Sequence, residues 1–278
     1  FFYFIMVDVP KFERFRIDIF ENGVAEVVMN RGNKLNVMDN VFFEETGKVF
    51  EFIESSPKVN CALLWAEGKL FTAGLDLKVM GSTFSTGEDT VDQKSAFLKM
   101  LKVWQRSFDR ARTITKPVIA AIHGKCIGGG IDLITACDIR LCSEDACFSI
   151  KETQIGIVAD LGTLQRIHRL VGSGLAREMA FTSDFINSER ALRGGFVNAV
   201  YPNQDELLKA AREMASKIAG LSPIVIQGTK IAMNYAQDHT VEESLDQIAM
   251  WNSVFLKSDD LVEAVGAFMQ KTTPKFKN

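Results

Sequence analysis

Cysteine is scarce in this chain and shows no pairing pattern. The 278 residues include five cysteines, an odd number, and no C-x-x-C pair occurs. Cys137, Cys142 and Cys147 recur every five residues, but no nearby histidine completes a set of zinc ligands. We therefore expect reduced thiols and no metal site, because buried free cysteine is a common small apolar residue.

Several other features are absent, and each absence excludes a class of protein. The longest apolar runs, such as residues 117–122, are far too short to span a bilayer. The net charge is −3 and the sequence has no basic stripe, so the charge pattern does not indicate binding to nucleic acid or to an anionic membrane. The aromatic N-terminus, Phe1–Met6, lacks the basic region of a signal peptide. We expect no membrane span, no nucleic acid partner and no readable targeting signal.

The remaining pattern favours strands that alternate with helices, followed by a helical tail. Two alternating runs flank Asn22-Gly23, which predicts a β-hairpin. We predict an α/β core domain over residues 1–200 and a C-terminal helical region over residues 201–278. The further predicted elements are helices over 38–53, 91–112 and 129–136, strands over 61–66, 117–122 and 138–142, a turn leading into a helix over 74–80 and a mobile loop over 81–90.

Three carboxylates occur in unusual surroundings. Glu152 and Asp160 lie eight residues apart in a stretch, Phe148–Thr163, that otherwise reads as buried. Burial raises the pKa of a carboxyl group, because desolvation disfavours its charged form. A third acid, Asp132, follows the glycine run 128–130. Acids beside a glycine-rich backbone suggest proton transfer next to an anion-stabilising site.

Two segments contain glycine at positions that suit the binding of a developing anion. The segments are Phe71–Leu77 and His123–Asp132. Without a Cβ atom, glycine lets a substrate approach the backbone closely, and two N–H donors from separate loops would form an oxyanion hole. Either segment alone could be only a tight turn. Neither matches a Walker loop or a G-x-G-x-x-G fingerprint, so nucleotide binding is disfavoured.

Taken together, these segments resemble the enoyl-CoA hydratase/isomerase (crotonase) superfamily. The resemblance runs in the expected order from about Phe15 to Phe276, which makes it far more specific than any single motif. The segments that carry it are 71–77, 123–132, 136–140, 151–157, 162–166, 176–182, 191–197 and Ser222-Pro223.

The resemblance implies a fold, an assembly and a substrate. The implied fold is a crotonase-like α/β spiral of β-β-α units with a C-terminal helical trimerisation region, in a homotrimer or a homohexamer. The implied substrate is an acyl-CoA thioester, with no separate cofactor. Its carbonyl oxygen would be held by the amides of Ala73 and Gly129, with Gly74, Asp76 and Leu77 on the same binding loop. Arg31, Lys34 and Lys271 are candidate partners for the CoA phosphates, and β-oxidation implies a mitochondrion or peroxisome.

The acids distinguish between members of the superfamily. Hydratases carry two glutamates, whereas this chain has Asp132 at the first position and Glu152 at the second. It also has Asp160 where hydratases usually carry glycine. The three acids resemble those of the Δ(3,5)-Δ(2,4)-dienoyl-CoA isomerases. That reaction moves a proton from C2 to C6, and two acids in unequal environments suit such a task. We expect Glu152 near C2 and Asp160 near C6, although the reverse is open, with Asp132 tuning the pair.

The sequence leaves other functions and structural roles open. The chain could be an enoyl-CoA hydratase or a Δ(3)-Δ(2)-enoyl-CoA isomerase, or a non-catalytic or RNA-binding protein with the same fold. We interpret His123 and Asp138 as structural, because no sequence partner identifies a histidine-based site and Asp commonly serves turns. Asp76 could cap the helix that follows it.

Overall fold

The computed structural model describes residues 9–78 and 90–276. Its strands are β1 Phe15–Ile19, β2 Val24–Met29, β3 Cys61–Ala66, β4 Val118–Ile122, β5 Lys125–Ile127, β6 Ile139–Ser143, β7 Cys147–Ser149, β8 Ile186–Asn187 and β9 Ala199–Tyr201. Its helices are α1 Asn40–Ser55, α2 Val91–Thr113, α3 Gly129–Ala136, α4 Thr163–Val171, α5 Ser173–Thr182, α6 Ser188–Arg193, α7 Gln204–Ala219, α8 Pro223–Tyr235, α9 Val241–Phe255 and α10 Asp259–Gln270.

The main sheet begins with the predicted hairpin. Strands β1 and β2 pair antiparallel, and Gly23 in the turn has a φ of +82°, which glycine adopts without a Cβ clash. The other strands of the described sheet join in parallel, in the order β1-β2-β3-β4-β6-β9. Parallel strands need crossover connections, and α1 and α2 provide two of them.

A second, smaller sheet forms because the chain leaves the main sheet after β4 and again after β6. The strands that follow, β5 and β7, pair in parallel with each other, and β8 adds antiparallel to β7. One β-β-α step therefore consists of β4, β5 and α3. The short strands β5, β7, β8 and β9 were not predicted, because two or three residues show too little alternation to be recognised.

Aromatic packing fills the core between the main sheet and its helices. The rings of Phe43 and Trp104 stack with centroids 4.3 Å apart, and Phe43 also packs on Phe108 at 5.5 Å. The opposite face of the sheet is covered by α7, whose Leu207 and Ala211 are fully buried. The predicted domain boundary at residue 200 therefore divides elements that share one core.

The last three helices carry much exposed apolar surface. Pro223 opens α8 at its first position, where a missing N–H costs nothing, and Thr240 and Glu243 form a capping box at the start of α9. None of the described helices is both long enough and apolar enough to cross a bilayer. The exposed apolar side chains here include Met233, Leu245, Met250, Val254, Leu256, Val262, Phe268 and Met269.

The structure differs from the sequence pattern in the segment that contains Glu152 and Asp160. The stretch Phe148–Thr163 is not buried throughout, because Ile155, Ile157 and Val158 are exposed, the last of them by 71%. Their apolar character suggested that they are buried, but they are exposed on the surface of the single chain. The predicted loop over 81–90 lies outside the described residues except for Thr90, and so do the last two residues of the predicted turn over 74–80.

Candidate active site

The three predicted acids and both glycine segments meet at one cavity. Its volume is about 240 Å³. One part of its wall is polar and carries the carboxylates, and the other part is apolar and includes the stacked pair Phe43 and Trp104. Its lining comprises Phe43, Ala73, Gly74, Leu75, Leu77, Phe97, Leu101, Trp104, Ile127, Gly128, Gly129, Asp132, Lys151, Glu152, Ile155, Ile157, Asp160 and Leu161.

Strand β5 brings the two glycine segments side by side. Thr72 forms a parallel bridge with Cys126, and its amide donates to the Lys125 carbonyl at 3.0 Å. Two residues later, Gly74 has a φ of +82°, and a Cβ atom there would lie 2.8 Å from the Ile127 carbonyl oxygen. Only glycine therefore allows the first segment to follow β5 up to the start of the second.

The second glycine segment opens helix α3. Gly128 precedes the helix with φ 55° and ψ −119°, and α3 begins at Gly129. The first amides of a helix have no partner inside it, and the Gly129 N–H has no backbone acceptor among the described residues. Close packing also requires glycine here, because a Cβ atom at Gly130 would lie 2.4 Å from Thr72 Cγ2.

The prediction that the Ala73 amide is an oxyanion donor is wrong. This amide donates to the Leu35 carbonyl at 3.0 Å, so its hydrogen is already used. The Gly74 amide is also occupied, since it donates to Thr72 Oγ1 at 3.0 Å. Leu75 is different, because it lines the cavity and its amide has no backbone acceptor among the described residues. Among the described residues, the amides of Leu75 and Gly129 are therefore candidate backbone donors.

Asp132 is the most deeply buried of the three acids. It lies in the first turn of α3, is 2% exposed and accepts a hydrogen bond at Oδ1 from the Thr163 amide at 2.7 Å. Burial raises the pKa of this carboxyl group to about 6, although the bond from Thr163 opposes the shift. This bond ties the start of α4 to α3.

Glu152 begins a 3₁₀ turn after β7 and points one oxygen at the glycine segment. A Cβ atom at Gly128 would lie 3.1 Å from Glu152 Oε1. The other oxygen, Oε2, is buried without a hydrogen-bond partner among the described residues. Burial raises the pKa of Glu152 to about 7, and the nearby negative charge of Asp132 raises it further. A carboxyl group in this state can take or give a proton near neutral pH.

Asp160 is the exposed member of the set and lies in an irregular loop before α4. Partial burial raises the pKa of its carboxyl group, as the sequence suggested, but the residue itself is exposed. Its carbonyl oxygen accepts a hydrogen bond from Gln105 Nε2 at 2.7 Å. Glu152 and Asp160 thus reach the same cavity from two different loops.

The remaining residues of the first glycine segment have separate roles. Asp76 Oδ1 accepts a bond from the Lys78 amide at 3.2 Å at the start of a helical turn, which is the capping geometry that the sequence predicted. Asp76 is not part of the cavity wall. Leu77 belongs to that wall, although its side chain is 56% exposed.

Of the predicted CoA contacts, Arg31 and Lys34 belong to one 3₁₀ turn, whereas Lys271 lies at the end of α10. Lys34 is exposed on a 3₁₀ turn directly before Leu35, whose carbonyl binds the Ala73 amide. Arg31 pairs with Asp39 at 2.8 Å, so its charge is partly neutralised. Lys271 is exposed at the end of α10 and is not part of the cavity wall.

Residues that we interpreted as structural lie outside the cavity. His123 Nε2 is 2.9 Å from the Gly68 carbonyl, and burial lowers the pKa of its ring. Asp138 Oδ2 accepts bonds from the Val118 amide and from Lys230 Nζ, both at 2.7 Å. Both residues thus have hydrogen-bond partners within the fold, as expected for structural roles. The five cysteines are free thiols, and no group of three His, Cys, Asp or Glu side chains in the described residues could hold a metal ion.

The sequence did not reveal several residues that shape the site. Leu75 was missed because its amide, not its side chain, matters. Gln105 was missed because it binds a backbone carbonyl that lies 55 residues away in the sequence. Arg166 was missed because its partners include the backbone carbonyls of Asp132 and Leu161, which leave no sequence signal. The Gly162–Arg166 motif was the one available signal, since a glycine and an arginine one helical turn apart can pack together.

Comparison with known proteins places the chain in a family. The sequence pattern of the enoyl-CoA hydratase/isomerase family matches residues 19–278. The chain belongs to this family. The crystal structure of an enoyl-CoA hydratase from Bacillus anthracis superimposes with a TM-score of 0.86 at 28% identity, covering 95% of this chain and 99% of that one. The predicted crotonase-like fold is confirmed.

Two similar relatives carry the name of one activity. The mitochondrial Δ(3,5)-Δ(2,4)-dienoyl-CoA isomerase of Dictyostelium discoideum is 49% identical, covering 91% of this chain and 87% of the relative. The peroxisomal Δ(3,5)-Δ(2,4)-dienoyl-CoA isomerase of Arabidopsis thaliana is 42% identical, covering 92% and 93% respectively. The sequence resemblance to this subfamily is therefore confirmed.

Proposed function

We propose that the chain is a Δ(3,5)-Δ(2,4)-dienoyl-CoA isomerase that acts in the β-oxidation of unsaturated fatty acids. The observation that carries the proposal is the arrangement of Glu152 and Asp160, which line one largely apolar cavity from separate loops. A single acid beside the oxyanion donors would suit a short proton shift. A second acid elsewhere in the cavity suits a shift along the acyl chain. The relatives named for this activity support the same assignment.

The thioester carbonyl would lie between the amides of Leu75 and Gly129. Two donors aimed at this oxygen stabilise the enolate that forms when a proton leaves C2, and each is worth about 10²–10³ in rate. The macrodipole of α3 favours negative charge at the Gly129 end of the helix. The chemistry requires only carboxylates and amides, so we propose no cofactor beyond the CoA that forms part of the substrate.

Glu152 is the proposed base at C2. Its Oε1 lies close to Gly128, which directly precedes the Gly129 donor, so it is near the carbon adjacent to the carbonyl. Glu152 takes the C2 proton, and the electron pair of that C–H bond enters the conjugated system as a trienolate. The charge resides mainly on the thioester oxygen.

Asp160 is the proposed acid at C6. It gives its proton to C6, and the enolate electrons return, so that double bonds at C3 and C5 become double bonds at C2 and C4. Asp160 is exposed in the free protein, and an acyl chain in the cavity would remove water from it. Desolvation raises the pKa of a carboxyl group, which favours the protonated Asp160 that the step requires.

Asp132 would tune this pair without transferring a proton to the substrate. Its charge raises the pKa of Glu152, and its Oδ1 is occupied by the Thr163 amide. Hydratases carry glutamate at the position that corresponds to Asp132. The shorter aspartate, held by the Thr163 amide, is less suited to hold a water molecule for addition.

The experiment that tests the proposal supplies purified protein with a 3,5-dienoyl-CoA and, in parallel, a 2-enoyl-CoA. The absorbance of a conjugated 2,4-dienoyl thioester should rise with the first substrate alone. Asp160→Asn should lower this rate by at least about 100-fold, the lower range for loss of a general acid or base. Efficient hydration of the 2-enoyl-CoA, unchanged in Asp160→Asn, would refute the assignment.

We also propose a homotrimer or a homohexamer, assembled through helices α8 to α10. The exposed apolar side chains of these helices support it, since a large exposed apolar patch indicates an interaction surface. Analytical ultracentrifugation should give three or six times the 30.9 kDa chain mass. By analogy with the relatives, we propose a mitochondrial or peroxisomal location, and Lys34, Arg31 and Lys271 as contacts for the CoA phosphates.

A further inference from the structure

The loop that carries Asp160 has little backbone pairing of its own. It runs from Ile157 to Gly162, between the 3₁₀ turn of Glu152 and helix α4, and forms no regular secondary structure. Its ends are tied, because the Ile157 amide donates to the Glu152 carbonyl at 3.0 Å and the Gly162 carbonyl accepts from the Arg166 amide. The centre of the loop must be held by other groups, since unpaired backbone is otherwise free to move.

Two side chains from different helices hold that centre. Gln105 Nε2, from α2, donates to the Asp160 carbonyl at 2.7 Å. Arg166 Nη2, from α4, donates to the next carbonyl, that of Leu161, at 3.2 Å. These bonds fix the two successive peptide groups that follow the Asp160 Cα atom, and the first of them is attached directly to that atom.

Arg166 is itself fixed on several sides. The same Nη2 donates to the Asp132 carbonyl at 2.8 Å, and Nε donates to Thr135 Oγ1 at 3.3 Å, so the guanidinium group joins the loop to α3. Asp109 on α2 forms an ion pair with it at 3.5 Å. The group also fills the space beside Gly162, where a Cβ atom would lie 2.1 Å from Arg166 Nη1.

Gln105 is oriented by a neighbour and lies next to the cavity wall. Lys102 Nζ donates to Gln105 Oε1 at 3.0 Å, which directs the amide nitrogen of Gln105 towards Asp160. The preceding residue, Trp104, is 5% exposed and lines the acyl cavity. Helix α2 therefore supplies both the wall of the cavity and the bond to the Asp160 backbone.

From this geometry we propose that Gln105 and Arg166 are positioning residues that fix the Asp160 carboxyl group at the distance from Glu152 that the C2-to-C6 proton shift requires. The inference rests on the proposed function. Both residues act through the backbone of the loop, and Gln105 and Arg166 are not part of the cavity wall. Their loss should impair protonation at C6, whereas proton removal at C2 depends on Glu152, Leu75 and Gly129.

The test separates these two half-reactions. The 3,5-dienoyl-CoA substrate carries deuterium at C2, and the assay follows both formation of the 2,4-dienoyl product and loss of deuterium from recovered substrate. Gln105→Leu has nearly the same size but donates no hydrogen bond. We expect it to slow product formation at least tenfold with an unchanged KM, while deuterium loss continues at close to the wild-type rate. Gln105→Lys, which retains a donor, should recover most of the product formation.

Control variants make each outcome decisive. Arg106→Gln changes the adjacent, exposed residue of α2 and should leave both rates unchanged. Gly162→Ala places a methyl group in the space of the Arg166 guanidinium, and it should reproduce the Gln105→Leu phenotype in protein that still melts cooperatively. The positioning role is refuted if Gln105→Leu leaves both rates unchanged or lowers them equally. A wild-type protein that forms no 2,4-dienoyl product would refute the proposed function instead.

Discussion

A methyl group at Gly128 would lie 3.1 Å from Oε1 of Glu152. Gly128 also has φ 55° and ψ −119°, a conformation that residues with a side chain rarely adopt. Gly128→Ala should therefore displace both the Glu152 carboxyl group and the Gly129 amide. We expect the isomerisation rate to fall by at least about 100-fold, the loss typical of one misplaced oxyanion donor, as measured by absorbance of the 2,4-dienoyl product.

A matched glycine variant serves as the control for this prediction. Gly174 lies in α5, and a Cβ atom there would meet no other atom within 4 Å. Gly174→Ala should leave the rate unchanged and raise the free energy of unfolding by about 0.5–1 kcal/mol, because alanine loses less backbone entropy in a helix. Equal activity in the Gly128 and Gly174 variants would contradict the placement of Glu152.

The raised pKa of Glu152 should also affect stability. In the folded protein this pKa rises from 4.5 to about 7, so the folded state holds the proton more tightly than the unfolded state. The free energy of unfolding should therefore fall as the pH rises from 4.5 to 7. Glu152→Gln removes this dependence, and it should be more stable than wild type at pH 8 by on the order of 1–3 kcal/mol.

Chemical denaturation at two pH values checks this expectation. Near pH 4 the glutamate of the wild type is largely protonated and therefore neutral, like the glutamine of the variant. The two proteins should then unfold at similar denaturant concentrations. A Glu152→Gln variant that is less stable than wild type at pH 8 would mean that the carboxylate is stabilised in the fold by a partner.

Asp132 should control the pH dependence of activity. Its charge raises the pKa of Glu152, and Asp132→Asn removes that charge while keeping an oxygen for the Thr163 amide. Glu152 should then ionise at lower pH, so the acid limb of the kcat/KM profile should move to lower pH. The profile of the free enzyme reports this group, and an unmoved acid limb would mean that Asp132 does not act on Glu152.

The hydroxyl group of Thr72 should be needed to order the first donor loop. It donates to the Asn36 carbonyl at 2.7 Å and accepts from the Gly74 amide at 3.0 Å, and Thr72 is fully buried. Thr72→Val leaves both groups unpaired, at a cost of about 1–3 kcal/mol, and should lower kcat about tenfold through movement of Leu75. Thr72→Ser retains the hydroxyl, and comparable losses in both variants would exclude this role.

The sequence allowed accurate prediction of elements with a clear local signal. Strand Cys61–Ala66 and helix Gly129–Ala136 have the predicted ends, because continuous apolar runs and glycine breaks mark their limits. The hairpin turn at Asn22-Gly23 was equally predictable from turn chemistry. The three acids were found because carboxylates among apolar residues stand out in any sequence.

The orientation of backbone groups could not be predicted in the same way. Ala73 and Leu75 lie two residues apart, and only the bond from Ala73 to the Leu35 carbonyl decides which amide is available. Exposure was equally inaccessible, since the apolar residues around Asp160 suggested burial but Val158 is 71% exposed. Both properties depend on contacts between segments that are distant in sequence.

The position of Leu75 has a consequence for how such an enzyme can change its substrate. The proposed polarising group at this position is the amide, which every residue except proline provides, whereas the side chain forms part of the cavity wall. Activation of the thioester and selection of the acyl chain are thus independent properties of one residue. A substitution at position 75 can reshape the pocket for another chain while the carbonyl chemistry stays the same.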